Sequence, residues 1–87
     1  MMDDMFIKLE YGDFVSLDLH GKTIEEARSE LIYAIDSADL KYNGILVVHG
    51  FNSGTSLKNY VRDKFEHKLV DKKIKVDAGR TLLILKR

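Results

Sequence analysis

Residues 45–58 read ILVVHGFNSGTSLK. The first four residues are apolar without interruption, which is typical of a parallel β-strand that helices cover. His49 and Gly50 end this run, and small polar residues then lead into an amphipathic helix that begins near Ser56. A loop of this kind has two interpretations: it only turns the chain, or it holds a phosphate.

A second His-Gly pair ends an earlier predicted strand. Residues 14–19 read FVSLDL, and apolar residues at every second position predict a strand with one buried face. The same alternation places Asp18 and His20 side by side on the other face, at the C-terminal end of the strand. Gly21 then turns the chain.

The remaining patterns predict two helices and two further strands. Thr23 and Glu26 form a capping box, and apolar residues at helical spacing continue to near Leu40. The helix from Ser56 presents four apolar side chains at four-residue steps: Leu57, Val61, Phe65 and Leu69. Strands follow around residues 74–76 and 81–85. The order β-α-β-α-β-β predicts an α/β domain over residues 14–87, a two-layer sandwich with a mixed four-stranded sheet, preceded by an arm or short strand at residues 1–13.

The predicted order brings the two His-Gly pairs together. A strand, a crossover helix and a second parallel strand form a right-handed unit whose strand C-termini lie at one edge of the sheet. Ligands bind at this edge in open α/β sheets. We therefore expect His20 and His49 to frame one site, with loop N–H groups and a helix N-terminus suited to an anion.

Proton transfer and phosphate binding are the chemistry that these residue types offer. The candidate catalytic residues are Asp18, His20 and His49, because histidine titrates near neutral pH and serves as general acid or base. The candidate phosphate- or nucleic-acid-binding residues are Gly50, Phe51, Asn52, Ser53, Gly54, Thr55, Ser56 and Lys58. Phe51 is a candidate for stacking on a base.

Each candidate also has a structural interpretation. Asp18 can simply cap the turn that follows it, and His49 can be a buried histidine bonded to backbone. Arg62 is interpreted as a solvated helix charge, and His67 as a surface residue of the second helix without a partner. The two strand-end histidines and Asp18 do not make a convincing zinc site, so the sequence indicates no metal or other cofactor, and a dependence on a divalent metal stays open.

Composition sets the broad class of protein. The 87 residues contain no cysteine, and no apolar stretch has the length of a membrane span, so we expect a cytoplasmic domain. The net charge is zero, but residues 1–50 hold 4 Lys/Arg and 10 Asp/Glu, whereas residues 51–87 hold 10 Lys/Arg and 4 Asp/Glu. The basic half is suited to phosphates, although lysines that only solvate a surface have the same composition.

Two motifs together resemble the small MutS-related (Smr) domain family. The family's first motif stands here as residues 17–21, LDLHG, before a capped helix. Its second motif, His-Gly-x-Gly-x-Gly-x-Leu-Arg/Lys, is matched by His49, Gly50, Gly54, Leu57 and Lys58, with Asn52 in place of a glycine and one extra loop residue. Residues 79–82 match weakly a Gly-x-Thr motif in the last strand.

The resemblance implies a fold like the C-terminal domain of bacterial translation initiation factor three. It also implies a nucleic-acid partner, RNA or DNA, and for some members the ribosome. Family members nick or cleave DNA or RNA, and short stand-alone members exist, the type that this chain resembles.

Three functions remain open from the sequence. The first is an endonuclease that cleaves RNA or structured DNA by His/Asp acid–base chemistry. The second is a non-catalytic module that binds nucleic acid or the ribosome. The third is a binder of a small phosphate compound. The oligomeric state is open as well.

Overall fold

The computed structural model describes residues 12–50 and 56–87. Of the arm or short strand predicted for residues 1–13, residues 1–11 lie outside the described residues. The elements, in chain order, are β1 (Phe14–Asp18), α1 (Ile24–Ser37), β2 (Gly44–Val48), α2 (Ser56–Asn59) with a π-helical segment directly after it (Tyr60–Lys64), β3 (Val70–Asp77) and β4 (Arg80–Leu85). No helix in these two stretches has the length and apolar character of a membrane span.

The four strands form one mixed sheet with the order β1-β2-β4-β3. β1 and β2 are parallel, with Phe14 opposite Gly44 and Asp18 opposite Val48. β4 is antiparallel to both β2 and β3. The predicted α/β fold with a mixed four-stranded sheet is therefore confirmed.

The core lies between the helices and one face of the sheet. The cluster contains the buried residues Leu19, Ala27, Leu31, Ile35, Ile45, Val47, Val61, Phe65, Leu83 and Leu85. Val15 and Leu17 of β1 pack against it, which confirms the buried face predicted from alternation. A smaller cluster around Leu46 and Leu82 lies on the other sheet face. Burial on both faces explains why β2 is apolar throughout.

The predicted capping box begins α1. Thr23 Oγ1 accepts a hydrogen bond from the Glu26 amide at 3.1 Å, and Glu26 Oε1 accepts one from the Thr23 amide at 2.9 Å. The helix ends at Ser37, earlier than the predicted limit near Leu40, because Ala38 has extended backbone angles. The cap fixes where the chain turns from β1 into α1, next to His20.

The second helix is shorter than predicted and changes its hydrogen bonding. The Phe65 amide donates to the Tyr60 carbonyl at 2.7 Å, five residues back, and the helix ends at Lys64. Lys73 of β3 reaches the carbonyls of Arg62 and Phe65 with its ammonium group, which satisfies the helix end. Phe65 is still buried in the core, so the apolar spacing predicted the packing but not the end of the helix.

Replacing Thr23 by alanine tests the cap. We expect Thr23→Ala to lower the free energy of unfolding by about 0.5–2 kcal/mol, because the Glu26 amide loses its acceptor. Urea unfolding followed by circular dichroism measures the change. Ser29→Ala, at an exposed position inside the same helix, is the control and is expected to be neutral or slightly stabilising. Equal effects of the two substitutions would contradict a specific role of the cap.

Candidate nucleic-acid interface

The two His-Gly turns lie against each other at one edge of the sheet. The Leu19 amide donates to the Val48 carbonyl at 2.7 Å, so the parallel pairing continues past the last residue of β1. A methyl group placed on Gly50 would lie 3.4 Å from the Cβ of His20. The predicted meeting of the two turns is therefore confirmed. We call this edge the rim; its described residues are 18–24, 49–50 and 56–57.

Both glycines of the rim have left-handed backbone angles. Gly21 has φ of +78° and Gly50 has φ of +74°. This conformation costs a residue with a Cβ roughly 1–2 kcal/mol. A Cβ at Gly50 would also come into van der Waals contact with the Cβ of His20. The two turns can be this tight only because both positions are glycine.

Asp18 and His20 form a hydrogen-bonded pair on the exposed side of the rim. Asp18 Oδ1 lies 2.6 Å from His20 Nδ1 and 3.1 Å from the His20 amide nitrogen. The bond from the imidazole, followed by the bond from the amide, lowers the pKa of Asp18, so its carboxylate is ionised at neutral pH. Because the ionised carboxylate can only accept, His20 Nδ1–H is the donor, and Nε2 is the ring nitrogen on the side away from the carboxylate. The His20 side chain is 71% exposed, so a ligand can reach this nitrogen.

His49 lies on the buried side of the rim. Its Nδ1–H donates to the Gly50 carbonyl at 3.0 Å, because a carbonyl can only accept. Its Nε2 then accepts from the Thr81 hydroxyl at 2.9 Å. The sequence left open a chemical or a structural role for His49. Bonds from both ring nitrogens to neighbouring groups are what the structural role predicts. Burial, followed by the charges of Arg62 and Lys58, lowers the pKa of His49 and keeps the ring neutral.

Arg62 and Thr81 support His49 from behind. The Arg62 Nε–H donates to Thr81 Oγ1 at 2.7 Å, and its guanidinium also donates to the carbonyls of Asp77 and Arg80. Arg62 thereby ties the π-helical segment to the β3–β4 turn. The interpretation of Arg62 as a solvated helix charge was wrong, because its partners lie 15 to 19 residues away in sequence.

Thr81 is the residue of this network that the sequence analysis did not select. It is fully buried on β4 and bridges Arg62 to His49. The Gly-x-Thr resemblance at residues 79–81 was the only signal for it. Gly79 contributes to the same support, because its carbonyl accepts from the amides of His49 and Gly50 at 2.9 and 3.0 Å.

A pocket of about 360 Å³ opens between the two turns. Among the residues that the structure describes, those that line this pocket are Gly21, Lys22, Thr23, Ile24, His49, Ser56 and Leu57. The candidate loop residues Phe51, Asn52, Ser53, Gly54 and Thr55 lie outside the described residues. Of the remaining candidates, Ser56 lines this pocket, and Lys58 contributes a positive charge near His49. In residues 12–50 and 56–87, no cluster of three or more potential ligands has the arrangement of a metal site.

His67 is not the unpartnered surface residue that the sequence suggested. It follows the helix, and its side chain is only 11% exposed. Its Nε2–H donates to Asp36 Oδ1 at 2.9 Å, and its Nδ1 accepts from the Leu69 amide at 3.0 Å. The prediction was wrong because Asp36 lies 31 residues earlier, at the far end of α1.

Comparison with known proteins identifies the family. A family model described as the Smr domain matches residues 17–81, which include both His-Gly turns, Arg62 and Thr81. Searches of the curated proteins and of the solved structures found no match.

Thr81→Val tests the buried support. Valine has the shape of threonine but no hydroxyl, so Arg62 Nε and His49 Nε2 both lose their partner. We expect a loss of roughly 1–3 kcal/mol of stability for each buried group left unpaired, measured by urea unfolding. Thr81→Ser keeps the hydroxyl and is expected to lose less. Equal stability of the valine and serine variants would contradict the bridging role of the hydroxyl.

The buried state of His49 predicts a specific dependence of stability on pH. Its pKa is lowered from 6.5 in the folded protein, so below pH 6.5 the unfolded chain binds a proton that the folded protein rejects. The contribution of His49 to stability is therefore complete above this value. It falls as the pH drops, by at most roughly 1.4 kcal/mol per pH unit, until the folded pKa is reached.

The difference between the unfolding free energies of the wild type and His49→Gln, measured from pH 8 to pH 5, isolates this contribution. Histidine ring NMR gives an independent check and is expected to show a neutral ring with the proton on Nδ1. Titration of His49 at or above its ordinary pKa would contradict the buried, neutral state.

Proposed function

The chain belongs to the Smr domain family, and on that premise we propose that it binds a polynucleotide at the rim and cleaves its phosphodiester bonds, with His20 as the acid–base residue and Asp18 as its partner. The polynucleotide is RNA or structured DNA. The observation that carries the proposal is the 2.6 Å bond between Asp18 and His20 Nδ1, in an exposed side chain whose Cβ faces the glycine turn of the second motif.

The chemistry follows from the arrangement of this pair. With RNA, the 2′-hydroxyl oxygen attacks phosphorus while the bond to the 5′-oxygen breaks. Nε2 of His20 accepts the proton of the attacking hydroxyl, and the departing 5′-oxygen takes a proton from solvent. The ionised Asp18 holds Nδ1–H and stabilises the imidazolium that forms. General acid–base catalysis of this kind contributes typically 10²- to 10⁴-fold to the rate.

Charge builds up on the phosphate during this reaction and needs compensation. Lys58 lies close enough to His49 to lower its pKa, and it supplies a positive charge at the rim. Preorganised donors and cations aimed at developing charge are the largest contribution in many enzymes. We assign the loop from Gly50 to Ser56 to phosphate binding on the strength of the family motif, and His49 to holding the start of that loop.

A non-catalytic nucleic-acid-binding module is the second candidate. It is favoured by the hydrogen bonding of His49, because both its ring nitrogens are engaged and only His20 is left for proton transfer. The same residues would then bind the phosphates of the polynucleotide without cleaving its phosphodiester bonds.

Cleavage of labelled RNA and of labelled structured DNA separates these candidates. We expect His20→Ala to reduce cleavage by roughly 100-fold or more and Asp18→Asn to reduce it less, because the imidazole remains. Asp36→Asn is the matched control, since it removes a carboxylate from the second His–Asp pair, away from the rim, and is expected to leave the rate unchanged.

If the wild type and His20→Ala both bind nucleic acid and neither cleaves it, the protein is a binding module and not a nuclease. Absence of binding at low salt would overturn both functions and favour a small phosphate ligand. Parallel reactions with EDTA and with Mg²⁺ test whether the cleavage needs a divalent metal.

A further inference from the structure

The charges on the two sides of the rim have opposite signs. On the α1 side, Glu25 and Glu26 occupy the first turn of the helix. Two cations lie nearby: Arg28, one turn from Glu25, and Lys22, which is paired with Glu30 at 3.1 Å. This pairing raises the pKa of Lys22, so the lysine stays charged. The carboxylate of Glu30 offsets that charge as an outside anion would meet it.

The other side of the rim carries cations from two elements. Lys58 and Arg62 are four residues apart on the second helix, a spacing that places both on one side of it. Arg62 bonds the same Thr81 hydroxyl as His49, so this side of the helix faces the rim. Lys75 of β3 is the direct cross-strand partner of Thr81, so the two side chains share a sheet face. Because Thr81 bonds Arg62 on that face, Lys75 lies beside Arg62.

These three residues form what we call the basic flank: Lys58, Arg62 and Lys75. Lys75 is exposed, and β3 is an edge strand of the sheet. Within residues 12–50 and 56–87, neither Lys58 nor Lys75 makes an ion pair. Asp77, the carboxylate of β3 at this end, is already paired with Arg80 at 2.7 Å. Like charges held together without a carboxylate between them are a favourable surface for a polyanion.

We infer that a polynucleotide bound at the rim continues over the basic flank and the edge strand β3, and not along α1, with Lys75 contacting a backbone phosphate. The inference rests on the proposed function and adds the direction of the strand and a contact beyond the family motifs. A phosphate chain that left the rim over α1 would meet Glu25 and Glu26. Over the basic flank it meets Lys58 and Lys75, which make no ion pair with any described residue.

The salt dependence of binding tests this direction. The probe is a short, fluorescently labelled single-stranded 2′-O-methyl oligoribonucleotide, which has no free 2′-hydroxyl to react. Its dissociation constant is measured by anisotropy over a series of KCl concentrations. Each phosphate contact of a single strand contributes roughly 0.7 to the slope of log K against log salt. We expect Lys75→Ala to weaken binding and to reduce the magnitude of the slope by roughly 0.7.

Arg28→Ala is the matched control. Arg28 is an exposed cation of α1, one turn from Glu25, so the substitution removes the same charge from the other side of the rim. We expect it to leave the slope unchanged. Urea unfolding of both variants shows whether the fold is retained, as expected for exposed positions.

Two outcomes separate the inference from the function on which it rests. If the wild type binds but Lys75→Ala keeps the wild-type slope, or Arg28→Ala reduces it equally, the direction is wrong and the proposed function stands. If the wild type does not bind at low salt, the proposed function fails and the direction fails with it.

Discussion

The parallel pairing of β1 with β2 is the constraint on which the rest of the structure depends. It places the ends of both strands at one edge, and it continues through the bond between the Leu19 amide and the Val48 carbonyl. The helix α1 connects the two strands, as a crossover must where consecutive strands are parallel. Because each strand ends in His-Gly, the pairing converts two separate sequence motifs into one rim. Left-handed glycines then let the two turns approach until His20 touches Gly50.

The environments of the two rim histidines differ sharply. His20 is exposed, bonded to an ionised carboxylate, and keeps one nitrogen towards solvent. His49 is buried, neutral and bonded at both nitrogens. The same type of side chain is thus open to a ligand in one turn and part of a buried hydrogen-bond network in the other. Hydrogen bonds through Thr81 connect His49 to β4 and to Arg62, so the start of the candidate phosphate loop is held by packed and hydrogen-bonded elements. Pre-organisation of this kind keeps a binding loop in place before its ligand arrives.

Local patterns predicted most of the fold, whereas long-range contacts were not predictable. The capping box of α1, the alternation in β1 and the apolar run in β2 each depend on neighbours within a few residues, and each was correct. The Asp18–His20 pair followed from the same alternation. The end of the π-helical segment is bonded by Lys73 of β3, 8 to 11 residues further along the chain. The partners of Arg62 and His67 lie 15 to 31 residues away. No periodicity in one sequence records which side chains meet over such separations, and Thr81 was therefore visible only as part of a weak motif.

Amide chemical shifts of the ¹⁵N-labelled protein, recorded during titration with a short single-stranded oligonucleotide at low salt, test the central claim most directly. That claim is that the two His-Gly turns form one ligand site. The largest shifts are expected in both segments of the rim together, around Asp18–Thr23 and His49–Lys58, with the amides around Asp36 and His67 unchanged. Shifts confined to one of the two turns, or centred on the Asp36–His67 end of α1, would contradict it.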